Sequence, residues 1–218
     1  MSGDLLVFDG VGLQEQPSGR TIIDSLSFRL AAGRALVIAG PPASGKSAAL
    51  DLACGVIPPT SGTITRREVP LGWLPQAGAL ASNLTLWDNV ALPLRWHRRA
   101  DDAAVEDAIH RLCDVMECEP PQRLPTANAS PERRAVAAVA RALILRPDLL
   151  IADEPGGDLG ADGREDLWRM LWRVHAEWGT AILATTTDPG PSEALTDQRV
   201  DLRGPPTMAF RLWRGAWG

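Results

Sequence analysis

Gly40-Pro41-Pro42-Ala43-Ser44-Gly45-Lys46-Ser47 reads G-x-x-x-x-G-K-S without a mismatch. Each residue type in that spacing has a task in gripping phosphate. The glycines let backbone N–H groups converge on phosphate oxygens, and a helix N-terminus behind them adds partial positive charge. Lys46 can reach the β- and γ-phosphates, and the Ser47 hydroxyl can sit on Mg²⁺. A second constellation is Leu149-Leu150-Ile151-Ala152-Asp153-Glu154, four apolar residues followed by two acids. A buried strand would deliver Asp153 to its tip as an oxygen ligand for the same Mg²⁺. Glu154 beside it could polarise the water that attacks the γ-phosphate. The two motifs together imply a bound nucleoside triphosphate, with phosphoryl transfer as the matching chemistry.

The elements that must position these residues are legible around them. An apolar run at 35–39 precedes the glycine loop and a helix-compatible run at 48–53 follows it. Strand, loop and helix in that order are what a phosphate-binding loop needs. The first third of the chain is β-rich, with strands expected at 5–8 and 27–30 around the turn Pro17-Ser18-Gly19, and again at 60–65 and 71–74. From 86 to about 118 the pattern turns helical. Val105, Ile109, Leu112, Val115 and Met116 share one face of a helix over 101–116, which Glu119-Pro120-Pro121 breaks. A helix from 131 to about 145, a strand at 149–152, a helix at 163–178 and a strand at 181–184 complete the pattern. Strand–helix alternation predicts an α/β fold with a mainly parallel sheet and the phosphate loop at the carboxyl ends of its strands.

Composition narrows the partners. The 218 residues are 45% hydrophobic and 22% charged, enough for a real core. Net charge is −5 with dispersed Lys and Arg, so a nucleic-acid partner is not expected. Cys54, Cys113 and Cys118 are too few and too irregular for a disulfide framework or a zinc site, and are read as reduced thiols. The N-terminus lacks the pattern of a signal peptide. No apolar run approaches a membrane span, so any membrane role is expected to come through a partner. Eight Trp against no Tyr carries no functional reading.

With these motifs the chain resembles, over nearly its whole length, the ATP-binding subunits of ABC transporters. Gly33-Arg34 and the strand into Gly40 look like the approach to the family's Walker A motif. Ala140-Arg141-Ala142-Leu143 with Arg146-Pro147-Asp148 looks like the run into its Walker B strand. Leu74-Pro75-Gln76 matches its Q-loop. The stretch 76–94 looks most like the ATPases of Mla/Mce-type lipid transport, and lipoprotein-release and cell-division cassettes share part of it. The resemblance implies a P-loop fold of ABC type: a RecA-like, mainly parallel core with a small antiparallel β part and an inserted helical subdomain. The expected division is a single domain over 1–218, with 1–81 and 147–218 as core and 82–146 as the helical part.

For the site, the resemblance implies ATP held by Gly40, Pro41, Pro42, Ala43, Ser44, Gly45, Lys46, Ser47 and Ala48. It implies Mg²⁺ on Ser47, Asp153 and Gln76, catalytic roles for Glu154, Gln76 and Lys46, and Ser130 on the nucleotide of a second subunit. The implied partners are a membrane permease and a second ATPase subunit, alike or different. The implied place is cytoplasmic, on the inner face of the plasma membrane. The alternative is a regulatory or structural nucleotide-binding subunit with little hydrolysis of its own.

Departures from the family pattern limit these expectations. Where its LSGGQ signature should stand the chain reads Ala129-Ser130-Pro131-Glu132-Arg133. Ser130 can cap a helix that Pro131 starts well, but Glu132 puts a carboxylate where a partner's γ-phosphate would lie. Thr187 occupies the family's switch-histidine position, and a threonine cannot supply a charge-adjustable ring. Gly160 falls at the D-loop aspartate, with Asp158 and Asp162 out of register. No aromatic matches the adenine-stacking position: Glu15 and Gln16 lie near it and Phe8 is too early. The stretch between Thr65 and Gln76 is short, so the antiparallel part is expected to be trimmed. The aromatic, basic stretch 210–214 reads as a frayed tail or a last strand.

Overall fold

The structure is a computed structural model that describes residues 3–203 except 77 and 99; the stretch 210–214 lies outside them. The unbroken apolar runs become the core strands. β3 (Ala35–Ala39), β6 (Leu149–Ala152) and β7 (Ala181–Thr186) are buried at every position, as strands covered on both faces must be. They form a five-stranded sheet in the order β5-β6-β7-β3-β8, whose pairs are all parallel. Ala39 pairs with Thr186, and Ala152 with Ala184. The chain therefore leaves β3, β6 and β7 at the same edge, which brings residues 40–45, 153–154 and 187 into one place.

A three-stranded antiparallel sheet, β2-β1-β4, covers one side through β1 (Asp4–Gln14), β2 (Thr21–Ala31) and β4 (Ser61–Arg66). β1 and β2 run well beyond the expected 5–8 and 27–30. Register shifts between Phe8 and Val11, with Gly10 at φ 58° and Ser25 at φ 52°, break the alternation that would have marked their full length. β5 (Leu71–Leu74) follows β4 after a four-residue connection. β8 (Gln198–Asp201) was not expected. It carries a single half-buried residue, Val200, and joins the sheet through its backbone.

Between β5 and β6 lie α2 (Leu86–Pro93), α3 (Asp102–Met116) and α4 (Pro131–Leu143). Their starts are capped by Thr85, Asp101 and Ser130, each accepting a hydrogen bond from the N–H three residues on. α5 (Ala161–Trp178) starts two residues before the expected position because Gly160 serves as its N-cap. Asn89, fully buried, ties the approach to α2 together. Its Nδ2 donates to the Ala81 and Thr85 carbonyls and to Thr126 Oγ1, and its Oδ1 accepts from Ala81 N–H at 2.7 Å. Two apolar clusters result. One joins the antiparallel sheet, α1 (Lys46–Cys54) and one face of the parallel sheet. The other joins the opposite face to α2–α5.

Candidate functional site

The loop between β3 and α1 is built around its glycines. A Cβ on Gly40 would lie 2.7 Å from the Leu202 carbonyl oxygen. Gly45 has φ 92°, and a Cβ there would lie 2.9 Å from the Ile22 carbonyl oxygen. Neither site admits a side chain without moving backbone. Gly45 is the N-cap of α1 and makes no side-chain cap bond, so the first N–H groups of that helix are left for an external acceptor. Ser44 Oγ is buried with no hydrogen-bond partner among the described residues, an unmet donor within the same loop. The residues present fit a phosphate group.

Lys46 is 6% exposed. Its Nζ donates to the carbonyls of Gly40 at 2.8 Å and Pro41 at 3.0 Å, and lies 3.1 Å from Glu154 Oε1. Glu154 follows the tip of β6 at φ 46°, held by its N–H donating to Thr185 Oγ1 at 2.9 Å. The Thr185 hydroxyl in turn donates to Asp153 Oδ1 at 2.6 Å, and Asp153 is 7% exposed. One β7 hydroxyl thus sets both neighbouring acids apart. Thr187 then grips Glu154 twice: its N–H donates to Oε2 at 2.9 Å and its hydroxyl to Oε1 at 2.6 Å. Lys46 and Glu154 form a nearly buried ion pair, and removing either charge leaves the other uncompensated.

For Mg²⁺ the donors are sparse. Among the described residues no group of three His, Cys, Asp or Glu could hold a metal ion. Ser47, exposed at the start of α1, and Asp153 offer one oxygen-bearing side chain each. That set suits an ion held mainly by phosphate oxygens with one or two protein ligands, as Mg²⁺ commonly is.

Residues 23–157 match the ABC transporter family. The lipoprotein-releasing system ATP-binding protein LolD of Bordetella pertussis is 32% identical over 191 residues, covering 80% of this chain and 82% of that protein. The sulfate/thiosulfate import ATP-binding protein CysA of Vibrio vulnificus is 30% identical over 194 residues, covering 83% of this chain. The chain spans only 56% of that relative's length. The fold is also that of a dimeric bacterial ABC transporter cassette (TM-score 0.78, 21% identity, 91% of this chain and 94% of that one). It is equally similar to cbiO1 of Clostridium perfringens, described as part of the ABC transporter complex cbiONQ (TM-score 0.80, 18% identity, 94% and 88%). The chain belongs to the ABC transporter family.

As an ATP-binding subunit of that family it brings together some of the expected residues and separates others. Lys46, Asp153 and Glu154 converge with the phosphate loop. Gln76, two residues past the end of β5, is exposed and lines a cavity of about 170 Å³ with Pro131, Arg134, Pro155 and Asp158; β5 ends beside Asp153, whose N–H donates to the Leu74 carbonyl at 2.8 Å. Ser130 lies at the start of α4, where its Oγ accepts from Arg133 N–H at 3.3 Å. Gly160 caps α5, Asp162 sits in its first turn, and Asp158 lines the Gln76 cavity. Phe8 stacks on Phe28 at 4.4 Å inside the core, so it is unavailable to a nucleotide base. His175 is satisfied by the Thr180 carbonyl at 2.8 Å. The sequence reading missed Thr185 as the group that separates the acids, and Thr187 as more than an absent histidine. The signal for both is the Thr185-Thr186-Thr187 run on a strand parallel to β6.

Proposed function

We propose that this chain binds Mg-ATP at residues 40–48 and hydrolyses it to drive a membrane permease. Phosphate is held by the loop backbone, Ser44, Ser47, Ala48 and Lys46, and Mg²⁺ by Ser47 and Asp153, with Gln76 reaching in from its neighbouring cavity. Bound Mg²⁺ supplies neutralisation of phosphate charge. Glu154 is the base that orients and deprotonates water, Lys46 draws charge from the γ-phosphate, and Ser130 meets the nucleotide of a second subunit. Residues 82–146 act as the helical part between core segments 1–81 and 147–218. In this reading the protein works on the cytoplasmic face of the membrane through its permease; among the described residues no helix is long and apolar enough to cross a membrane.

The observation that carries this reading is the Lys46–Glu154–Thr187 cluster at the mouth of the phosphate loop. Lys46 rests on loop carbonyls and Glu154, positions from which a phosphate can draw it, while Thr187 keeps Glu154 in place when the lysine leaves. Such positioning and charge placement supply most of the acceleration in phosphoryl transfer. The test is ATP titration and phosphate release by the purified chain, alone and with its permease. Failure to bind ATP with or without Mg²⁺ refutes the proposal. The membrane protein that co-purifies identifies the cargo, and a lipid-type cargo is the outcome that the stretch 76–94 favours.

A second reading, a nucleotide-binding subunit with little turnover of its own, is favoured by one feature. The carboxylate of Glu132 stands in the first turn of α4, held below its usual range by its own backbone N–H and by Ser130. In a homodimer each composite site would carry that charge, whereas an intact partner cassette would relieve one site. Fast hydrolysis by the isolated chain, abolished in Glu154→Gln, would exclude this reading.

A further inference from the structure

The last turn of α3 places two thiols at the meeting point of a helix terminus. Glu117 takes the left-handed conformation (φ 52°) and the Cys118 N–H donates to the Cys113 carbonyl at 3.0 Å. This closes a Schellman-type end in which the residues in the 113 and 118 positions regularly touch. That contact is frequently between two apolar side chains; here both positions are cysteines. Cys113 is 2% exposed. Cys118 is half-buried and lines a surface cavity of roughly 250 Å³ with Leu86, Pro121, Arg133 and Val136. We propose that Cys118 and Cys113 form a two-thiol redox site, in which Cys118 reacts with a hydroperoxide entering from this cavity and Cys113 resolves it into a disulfide.

The two sulfurs divide the work. Cys113 is closed off at 2% exposure while Cys118 faces the cavity. The neighbouring thiol holds Cys118 below its ordinary range, while Cys118 and burial push Cys113 up. The thiolate is the nucleophile, so attack falls to the sulfur that also faces the cavity. Cys118 thiolate breaks the O–O bond and takes one oxygen as sulfenic acid, releasing hydroxide when the oxidant is hydrogen peroxide. Cys113 then attacks that sulfur: the S–S bond forms and hydroxide leaves with the Cys113 proton as water. Two thiols thus lose two electrons and two protons, and the peroxide becomes two waters. Cys54 is an internal control, because burial pushes its thiol up to about 11.

The location gives the site something to act on. Residues 118–125 bridge three helices: Gln122 and Leu124 carbonyls accept from the Trp87 and Leu86 N–H groups, and Gln122 Oε1 accepts from Arg133. A disulfide would pin the root of that bridge, one wall of the cavity whose other wall is the start of α4. The experiment is peptide mapping of the full chain after hydrogen peroxide, trapping free thiols with iodoacetamide. The expected product is the tryptic peptide spanning 112–123 lighter by two hydrogens, with Cys118 alkylated at least about tenfold faster than Cys54 before oxidation. Cys113→Ala should instead leave Cys118 as a sulfenic acid that dimedone captures, and Cys118→Ser should leave Cys113 unreacted. Reaction of Cys54 as fast as Cys118, or sulfenic acid persisting on Cys118 in the unmutated protein, overturns the proposal.

Discussion

Helix α1 begins on Gly45 with no side-chain cap and no acid in its first turn, whereas α4 begins on Ser130, whose hydroxyl accepts from Arg133 N–H, with Glu132 following. Both helix starts belong to positions where this family is expected to meet phosphate. At α1 the N–H groups stay available and Lys46 adds a cation. At α4 Pro131 has no N–H, the Arg133 N–H goes to the Ser130 hydroxyl, and Glu132 adds a carboxylate to the first turn. A helix start can be stabilised from within or left open for an anion, and the same groups cannot serve both ends. The chain keeps the open form for its own nucleotide and the closed form on the face it would present to a neighbour.

The sharpest break in that comparison is Glu154→Gln. It removes the base while leaving a side chain of the same size for Thr187 to hold. Turnover should fall by about 10²- to 10⁴-fold, with ATP binding kept. Parallel loss of binding and turnover would mean that Glu154 serves the loop's structure. Next comes Lys46→Ala, which removes a charged donor worth about 1.5–3 kcal/mol and should weaken ATP binding roughly 10- to 150-fold. Titration calorimetry reads it directly. Unchanged affinity would show that the loop backbone alone holds phosphate.

Thr187→Val tests the grip on Glu154. It removes the 2.6 Å hydroxyl bond and keeps the backbone one. A hydrogen bond to a charged group is worth about 1.5–3 kcal/mol, so turnover should drop by about tenfold or more while ATP affinity moves little. Thr187→Ser should restore it, because only the hydroxyl matters. Equal loss in both variants would mean that the Thr187 hydroxyl is not what holds Glu154 for catalysis.

What could be read in advance followed from contiguity. The phosphate loop and Asp153-Glu154 are consecutive residues beside apolar runs, so residue type and spacing identify them without the fold. The Thr187–Glu154 bond joins positions 33 apart and exists because β6 and β7 pair in parallel with Ala152 beside Ala184. No local pattern reports such a register. β8 was illegible for a related reason: its pairing with β3 uses backbone groups, and Gln198, Arg199 and Asp201 are exposed. The Asn89 network and the Cys113–Cys118 contact were likewise hidden, one in long-range hydrogen bonds and the other in the left-handed turn at Glu117.

The smallest effect concerns the closed helix start itself. Glu132→Gln keeps the side-chain length but removes the charge, and Pro131→Gly with Glu132→Gly reopens the turn. Glu132 is fully exposed, so the first change should leave stability nearly unaltered. The double change loses a good first-turn residue and adds two flexible ones, at a cost of about 1–2 kcal/mol in unfolding free energy. If α4 meets the nucleotide of a second subunit, the double variant of the isolated chain should hydrolyse ATP several-fold faster despite being less stable. Stability and turnover would then move in opposite directions, which simple loss of folding cannot produce. If turnover falls in step with stability, α4 makes no contact with phosphate in the homodimer and its acid is only a helix-start residue.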